Sequence, residues 1–177
     1  SDKVRLVDRF QLGEPDMRGF DIRGIGPRVI RFTDVNLADP ANPVLNADLQ
    51  NRGNLIDDAL GGRAYYKGRV EVDIPLGTGA KELGLRPSVF LDVGSVWSVK
   101  RPTLTTLADF KDPADGLTKW KCRNPTTGDT KFATLATGST TLYANCETAG
   151  SGYAPLQPFE ERFYGDSWMP RVAIGAG

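Results

Sequence analysis

One cation and two carboxylates carry the chemistry legible in this chain. The run Met17-Arg18-Gly19-Phe20-Asp21-Ile22-Arg23-Gly24-Ile25-Gly26-Pro27 sets Arg18 among residues that favour tight backbone geometry, in a stretch without helical or strand period. Glycine admits angles that side-chained residues resist, and proline halts a helix. The segment therefore reads as a loop built to deliver a cation. Glu71 and Asp92 are the acids that would receive it, and an aspartate inside the apolar run around residue 92 needs a partner, because an unpaired charge removed from water is costly. Arginine suits this role, since it stays charged and offers its donors in a planar fork, so it bridges two acids where lysine acts as a point charge.

The elements that must hold these groups are two strands. Residues 63–76 alternate so that Ala64, Tyr66, Gly68, Val70, Val72 and Ile74 share one face, while Arg63, Tyr65, Lys67, Arg69, Glu71 and Asp73 share the other. Residues 87–99 place Val89, Leu91, Val93 and Trp97 on one face, with Ser88, Phe90, Asp92 and Gly94 opposite. Strands of roughly 9–11 alternating residues cross a bilayer at a tilt, whereas strands of soluble domains are usually about 5–6 residues long. A soluble sheet would show a similar alternation, so the pattern alone does not decide what each face meets. The Gly-rich connection at 77–86 reads as a hairpin turn. With Leu76 placed opposite Pro87, Glu71 falls directly opposite Asp92, a repulsive pair that a guanidinium between them relieves.

Composition narrows the function. The 22 basic and 22 acidic residues balance to zero formal charge, mixed along the chain, which argues against nucleic acid as a partner. No histidine is present, and two cysteines cannot by themselves make a structural zinc site, so neither a metal nor a cofactor is expected. Glycoside hydrolysis by Glu71 and Asp92 is disfavoured, since cross-strand adjacency crowds the two groups below the roughly 5 Å such chemistry uses. No catalytic residue is assigned, and we expect no enzyme.

The Thr-, Gly- and Asn-rich stretch around 101–168 contains Cys122 and Cys146, which we expect to be disulfide-bonded as in oxidising compartments. Short strand-like pieces occur at 130–135 and 140–144, and alternating stretches around Cys122 and Cys146 suggest a small hairpin capped by turns such as Asn124-Pro125-Thr126-Thr127-Gly128, with Trp120, Phe132 and Tyr143 packing a miniature core. In residues 29–58, Asp34, Asn36, Asp39, Asn42, Asp57 and Asp58 read as turn caps rather than calcium ligands, because the EF-hand order of ligands is missing. Glu160-Glu161-Arg162 reads as a solvated charge run ahead of Phe163, Tyr164 and Trp168, aromatics suited to a membrane boundary.

Several runs occur in an order that resembles a known family: Asp8-Arg9-Phe10, Met17-Arg18-Gly19-Phe20, Ile25-Gly26-Pro27, Leu60-Gly61-Gly62, Arg69-Val70-Glu71-Val72 and Phe90-Leu91-Asp92-Val93-Gly94-Ser95-Val96-Trp97. Together they are similar to the C-terminal barrel of the BamA family of outer-membrane insertases over residues of about 8–28, 59–99 and 169–177. Met17 departs from the valine usual there. The resemblance implies an all-β fold, part of a transmembrane β-barrel in the bacterial outer membrane, with the motif arginine on an extracellular loop folded inward against acids of the wall. Carried over, the loop motif is Met17, Arg18, Gly19 and Phe20, and the wall partners are Glu71 and Asp92. The implied division is an inward-folded loop at 1–62, a barrel hairpin at 63–99, a disulfide-bearing extracellular loop at 100–168 and a further strand beginning at 169–177. Unfolded outer-membrane protein clients, barrel-assembly lipoproteins and outer-membrane lipid are the implied partners. The chain reads as a piece of a longer barrel, and a few unclosed amphipathic strands are expected to self-associate when isolated. Two other readings stand beside this one: a related TamA-type or two-partner secretion transporter, and a soluble disulfide-bearing β adhesin or glycan-binding module.

Overall fold

A computed structural model describes residues 4–75, 86–133, 146 and 152–176. Among them the strands are β1 (Arg28–Phe32), β2 (Val35–Asn36), β3 (Val44–Leu45), β4 (Leu55–Ala59), β5 (Ala64–Asp73), β6 (Ser88–Trp97), β7 (Lys121–Arg123), β8 (Thr130–Phe132), β9 (Ala154–Leu156), β10 (Glu160–Tyr164) and β11 (Arg171–Ala176). Three short 3-10 turns complete the elements, and none of the described residues forms an α-helix. The expected all-β architecture with antiparallel pairing is what the chain adopts. It divides into two compact units, one of residues 1–29, 58–102 and 163–177, the other of residues 30–57 and 103–162.

The first unit is built on a three-stranded sheet in the order β11-β6-β5, antiparallel throughout. β5 and β6 are each 10 residues long, as the alternation requires. Their shared period of two sorts side chains cleanly: Val70, Val72, Val89, Leu91, Val172 and Ile174 occupy one face, and all six are exposed. Such a row on a sheet has the form of the lipid-facing band of a barrel. At the β5 start of the same face, Tyr66 meets Trp97 edge-on at 5.7 Å and its hydroxyl donates to the carbonyl of Trp168 at 3.0 Å.

The opposite face of this sheet carries a loop. Leu12, Met17, Ile25 and Val96 form a buried cluster with Phe20 packed against it, so the core of this unit lies between residues 12–25 and the inner side of β6. Backbone bonds pin the loop at both ends. Phe10 and Gly62 exchange a pair at 2.9 Å, and the Ile25 amide donates to the Leu12 carbonyl at 3.0 Å.

The register of β5 with β6 differs from the expected one by two residues. Asp73 pairs with Ser88, so Glu71 stands opposite Phe90, and Asp92 stands opposite Arg69 rather than Glu71. A two-residue slip keeps every side chain on its own face. It replaces two facing carboxylates with a cross-strand ion pair, the stabilising arrangement for directly opposed charges. Of the turn expected at 77–86, residues 77–85 lie outside the described residues.

β10, β1 and β4 form a further sheet, and in the second unit β2 pairs with β3 and β7 lies between β8 and β9. Cys122 and Cys146 are disulfide-bonded as expected. The small core beside them consists of both cysteines and Ala133, with Trp120 and Tyr153 packed on; Tyr143 and residues 140–144 lie outside the described residues. Phe132 sits instead beneath the Lys121 ammonium, 5.1 Å from its ring centroid. A bond closing 24 residues of chain contributes about 3 kcal/mol in the loop-entropy picture. Replacing both cysteines by serine should cost the unit about that much, read as a lowered denaturant midpoint that reductant reproduces in the wild type and leaves unchanged in the variant.

Two expectations for this unit sort differently. Asn36 and Asp39 accept amide hydrogens two residues ahead, from Ala38 and Ala41, which is the turn chemistry read from the sequence, whereas Asp34 accepts from the side-chain amides of Asn46 and Asn54 and so joins distant segments. Glu160-Glu161-Arg162, by contrast, is not a solvated run. It opens β10, and the Glu161 carboxylate accepts from Arg31 at 2.8 Å and from the Thr105 amide at 3.0 Å. Arg31 in turn lies over Phe159, 4.5 Å from the ring centroid, which ties the charge to the Phe110–Phe159 contact of this unit. The pairing partners lie 130 and 56 residues away, beyond the reach of any local pattern.

Candidate functional site

The site lies in the first unit, where the loop meets the polar face of β5 and β6. Met17 is fully buried in the loop core, and this anchor turns the next residue, Arg18, towards the wall. Gly19 follows with φ of 79°, a left-handed conformation natural to glycine, so the chain reverses immediately after delivering the cation. Phe20 returns to pack on the core. Sequence order thus alternates anchor, cation, turn and anchor within four residues.

Arg18 reaches both acids named from the sequence. Its Nε donates to Asp92 Oδ2 at 3.1 Å and its Nη2 to Asp92 Oδ1 at 3.3 Å, while Nη1 stands 3.2 Å from Glu71 Oε2. The Arg18 backbone amide adds a bond to Asp92 Oδ2 at 3.2 Å. Asp92 is only 1% exposed and therefore depends on these donors; Glu71 is more open, at 38% of its side chain. Glu71 also accepts from the Ser88 hydroxyl at 2.8 Å. Because Glu71 and Asp92 sit on the same face one rung apart, the guanidinium spans the diagonal between them instead of separating a facing pair.

Four further residues belong to the site and were not assigned from the sequence. Arg69 donates Nε to Asp92 Oδ1 at 2.8 Å and Nη2 to Oδ2 at 3.1 Å, a two-pronged grip from the neighbouring strand. Its Nη2 also donates to the carbonyl of Asp16 at 3.2 Å. Lys67, two residues earlier on the same face, pairs with the Asp16 carboxylate at 2.7 Å, and this bond holds the Asp16 carboxyl below its ordinary range. Phe90 lies under the Arg18 guanidinium, with its ring centroid 3.4 Å from Cζ, a cation–π contact that accounts for an aromatic on the charged face. The room for that ring comes from Gly175 of β11, where a side chain's Cβ would stand 2.5 Å from the ring. The available signal was the alternation itself, which already put Lys67 and Arg69 on the face of Glu71; the register needed to pair Arg69 with Asp92 was not legible.

The arrangement balances two guanidiniums against two carboxylates and attaches a second loop-to-wall pair of opposite polarity, Asp16 to Lys67. What the geometry can do is hold a loop against a wall by charge-assisted bonds that break together when the loop lifts.

The Omp85 superfamily domain matches residues 1–116. Over 96 residues, 54% of this chain, the sequence is 33% identical to the outer membrane protein assembly factor BamA of Neorickettsia risticii (strain Illinois). That match spans 9% of the length of the Neorickettsia protein. No solved structure matches. With the family domain covering the loop, both long strands and the residues that join them, the chain belongs to the Omp85 superfamily and is a bacterial outer-membrane protein.

Proposed function

We propose that this chain is part of an outer-membrane insertase that folds and inserts β-barrel proteins, with Arg18 as the latch that holds the inward-folded loop on Glu71 and Asp92 of the barrel wall. The observation that carries the reading is the single guanidinium that arrives from 53 residues before Glu71 and 74 before Asp92 and contacts both, on the sheet face opposite an exposed apolar row. An apolar outer face suits lipid, and a polar inner face suits a water-filled lumen. In this reading the protein performs no covalent chemistry. Its clients are unfolded outer-membrane proteins, its helpers the assembly lipoproteins of such machines, and its solvent outer-membrane lipid. The likeness to a protein named an outer membrane protein assembly factor supports a role in assembly.

The test is made in the full-length protein in its membrane. Arg18→Ala should expose residues 12–25 to protease and impair assembly of client barrels. Arg18→Lys should recover only part of both, because lysine keeps the charge and loses the fork that reaches two acids at once. A loop as protease-resistant in Arg18→Ala as in wild type would refute the latch.

A further inference from the structure

The Asp92 carboxylate accepts more donors than a simple latch requires. Both oxygens are shared: Oδ1 takes Arg69 Nε at 2.8 Å and Arg18 Nη2 at 3.3 Å, and Oδ2 takes Arg69 Nη2 at 3.1 Å, Arg18 Nε at 3.1 Å and the Arg18 amide at 3.2 Å. The two guanidiniums differ in where they are mounted. Arg69 stands on β5 directly opposite Asp92 on β6, so it belongs to the wall. Arg18 belongs to the loop and leaves when the loop leaves. The wall-mounted cation also makes the shorter bond to the carboxylate.

We propose that Arg69 is the wall's resident counter-ion for Asp92 and that it makes the loop latch reversible by competing with Arg18 for the same carboxylate. This rests on the latch reading above. In the closed arrangement two like charges converge on one acid, so each weakens the other's hold. In the released arrangement Asp92 still keeps a two-pronged partner and is never left as an uncompensated charge at the wall. Without Arg69 the closed arrangement loses the repulsion, and release would cost Asp92 both of its guanidinium partners. Both changes act in the same direction and favour the closed loop. Against them stands the bond from Arg69 to the Asp16 carbonyl, at 3.2 Å and with a neutral acceptor, which is weaker than bonds to an ionised group. Asp16 keeps its own pair with Lys67 in any case. Removing this cation is therefore expected to tighten the loop, the opposite of what loss of a clamp residue does.

The Arg18 amide reports release directly, because its hydrogen is given to Asp92 only while the loop is seated. Hydrogen exchange of the peptide covering residues 13–20 is measured in the full-length protein, in vesicles of outer-membrane lipid, for wild type, Arg69→Met, Arg69→Lys and Arg18→Ala. Arg69→Met should slow exchange about tenfold, the scale of one charged hydrogen bond, and Arg69→Lys should stay near wild type. In an Asp92→Asn background, where no charge remains to compete for, Arg69→Met should change exchange little. Exchange in Arg69→Met as fast as or faster than wild type overturns the proposal, as does an Arg69→Met chain that fails to form a heat-modifiable barrel while Arg18→Ala forms one, since Arg18 alone should suffice to pair Asp92. The latch reading has its own separate signal: if Arg18→Ala leaves exchange unchanged, that reading fails whatever Arg69→Met does.

Discussion

Asp92→Ala is expected to release the loop more completely than any other single change in the site. The substitution removes the acceptor of all five donors described above and leaves the Arg18 and Arg69 guanidiniums converging on an empty position. Removing one partner from a buried charge cluster commonly costs several kcal/mol, because the remaining charges lose their compensation. Here the loss falls on the equilibrium between seated and lifted loop, so the open population should rise at least about a hundredfold. Pulse proteolysis within residues 12–25 of the full-length protein measures that population. Glu71→Ala should act in the same direction with a smaller effect, because Glu71 is more exposed and receives a single contact from Arg18. An Asp92→Ala loop that opens no more readily than that of Glu71→Ala would show that the buried acid is not the anchor.

Gly94→Val carries the second large effect, through shape rather than charge. Gly94 lies on the inner face of β6, where the loop core sits on the wall. A Cβ there would stand 2.8 Å from Leu12 Cδ2, 3.0 Å from the Tyr66 carbonyl oxygen and 3.2 Å from Met17 Sδ. The Tyr66 oxygen is backbone of the paired strand, and Leu12 and Met17 are themselves buried, so none of the three has space to retreat. Overfilling a packed core commonly costs about 1–3 kcal/mol, and a branched side chain adds methyl groups beyond the Cβ. The strands gain β propensity from valine, so the sheet should persist while the loop is pushed off. The expected result is a barrel that keeps its heat-dependent gel mobility but exposes residues 12–25 to protease. Loss of the barrel itself would place the defect in the sheet, and full loop protection would show that the seat is softer than the contacts indicate.

These two changes separate what holds the loop. Asp92 supplies direction, since charge-assisted bonds at fixed angles select one position of Arg18. The Leu12–Met17–Ile25–Val96 cluster supplies burial, which is insensitive to angle. Met17 and Arg18 are neighbours in the chain, so one backbone conformation satisfies both, and either defect undoes the other's contribution.

Much of this was legible in the residues alone. The period of two along residues 63–76 and 87–99 set which side chains share a face, because that geometry is local and needs no knowledge of the partner strand. For the same reason Arg18 could be recognised as a cation on a turn, and Cys122 with Cys146 as a bond. Three features came only with the tertiary structure. A register shifted by two residues leaves every face unchanged, so alternation could not distinguish Glu71 opposite Asp92 from Arg69 opposite Asp92; the strand pairing places opposite charges face to face. Glu161 looked solvated because Arg31 and Thr105, which hold it, are remote in the chain. Phe90 under Arg18 required β11 to bring Gly175 alongside. Local chemistry named the cation and its acids, whereas the second cation that shares Asp92 emerged from strand pairing, because competition for one carboxylate is a property of positions in space and leaves no period in the sequence.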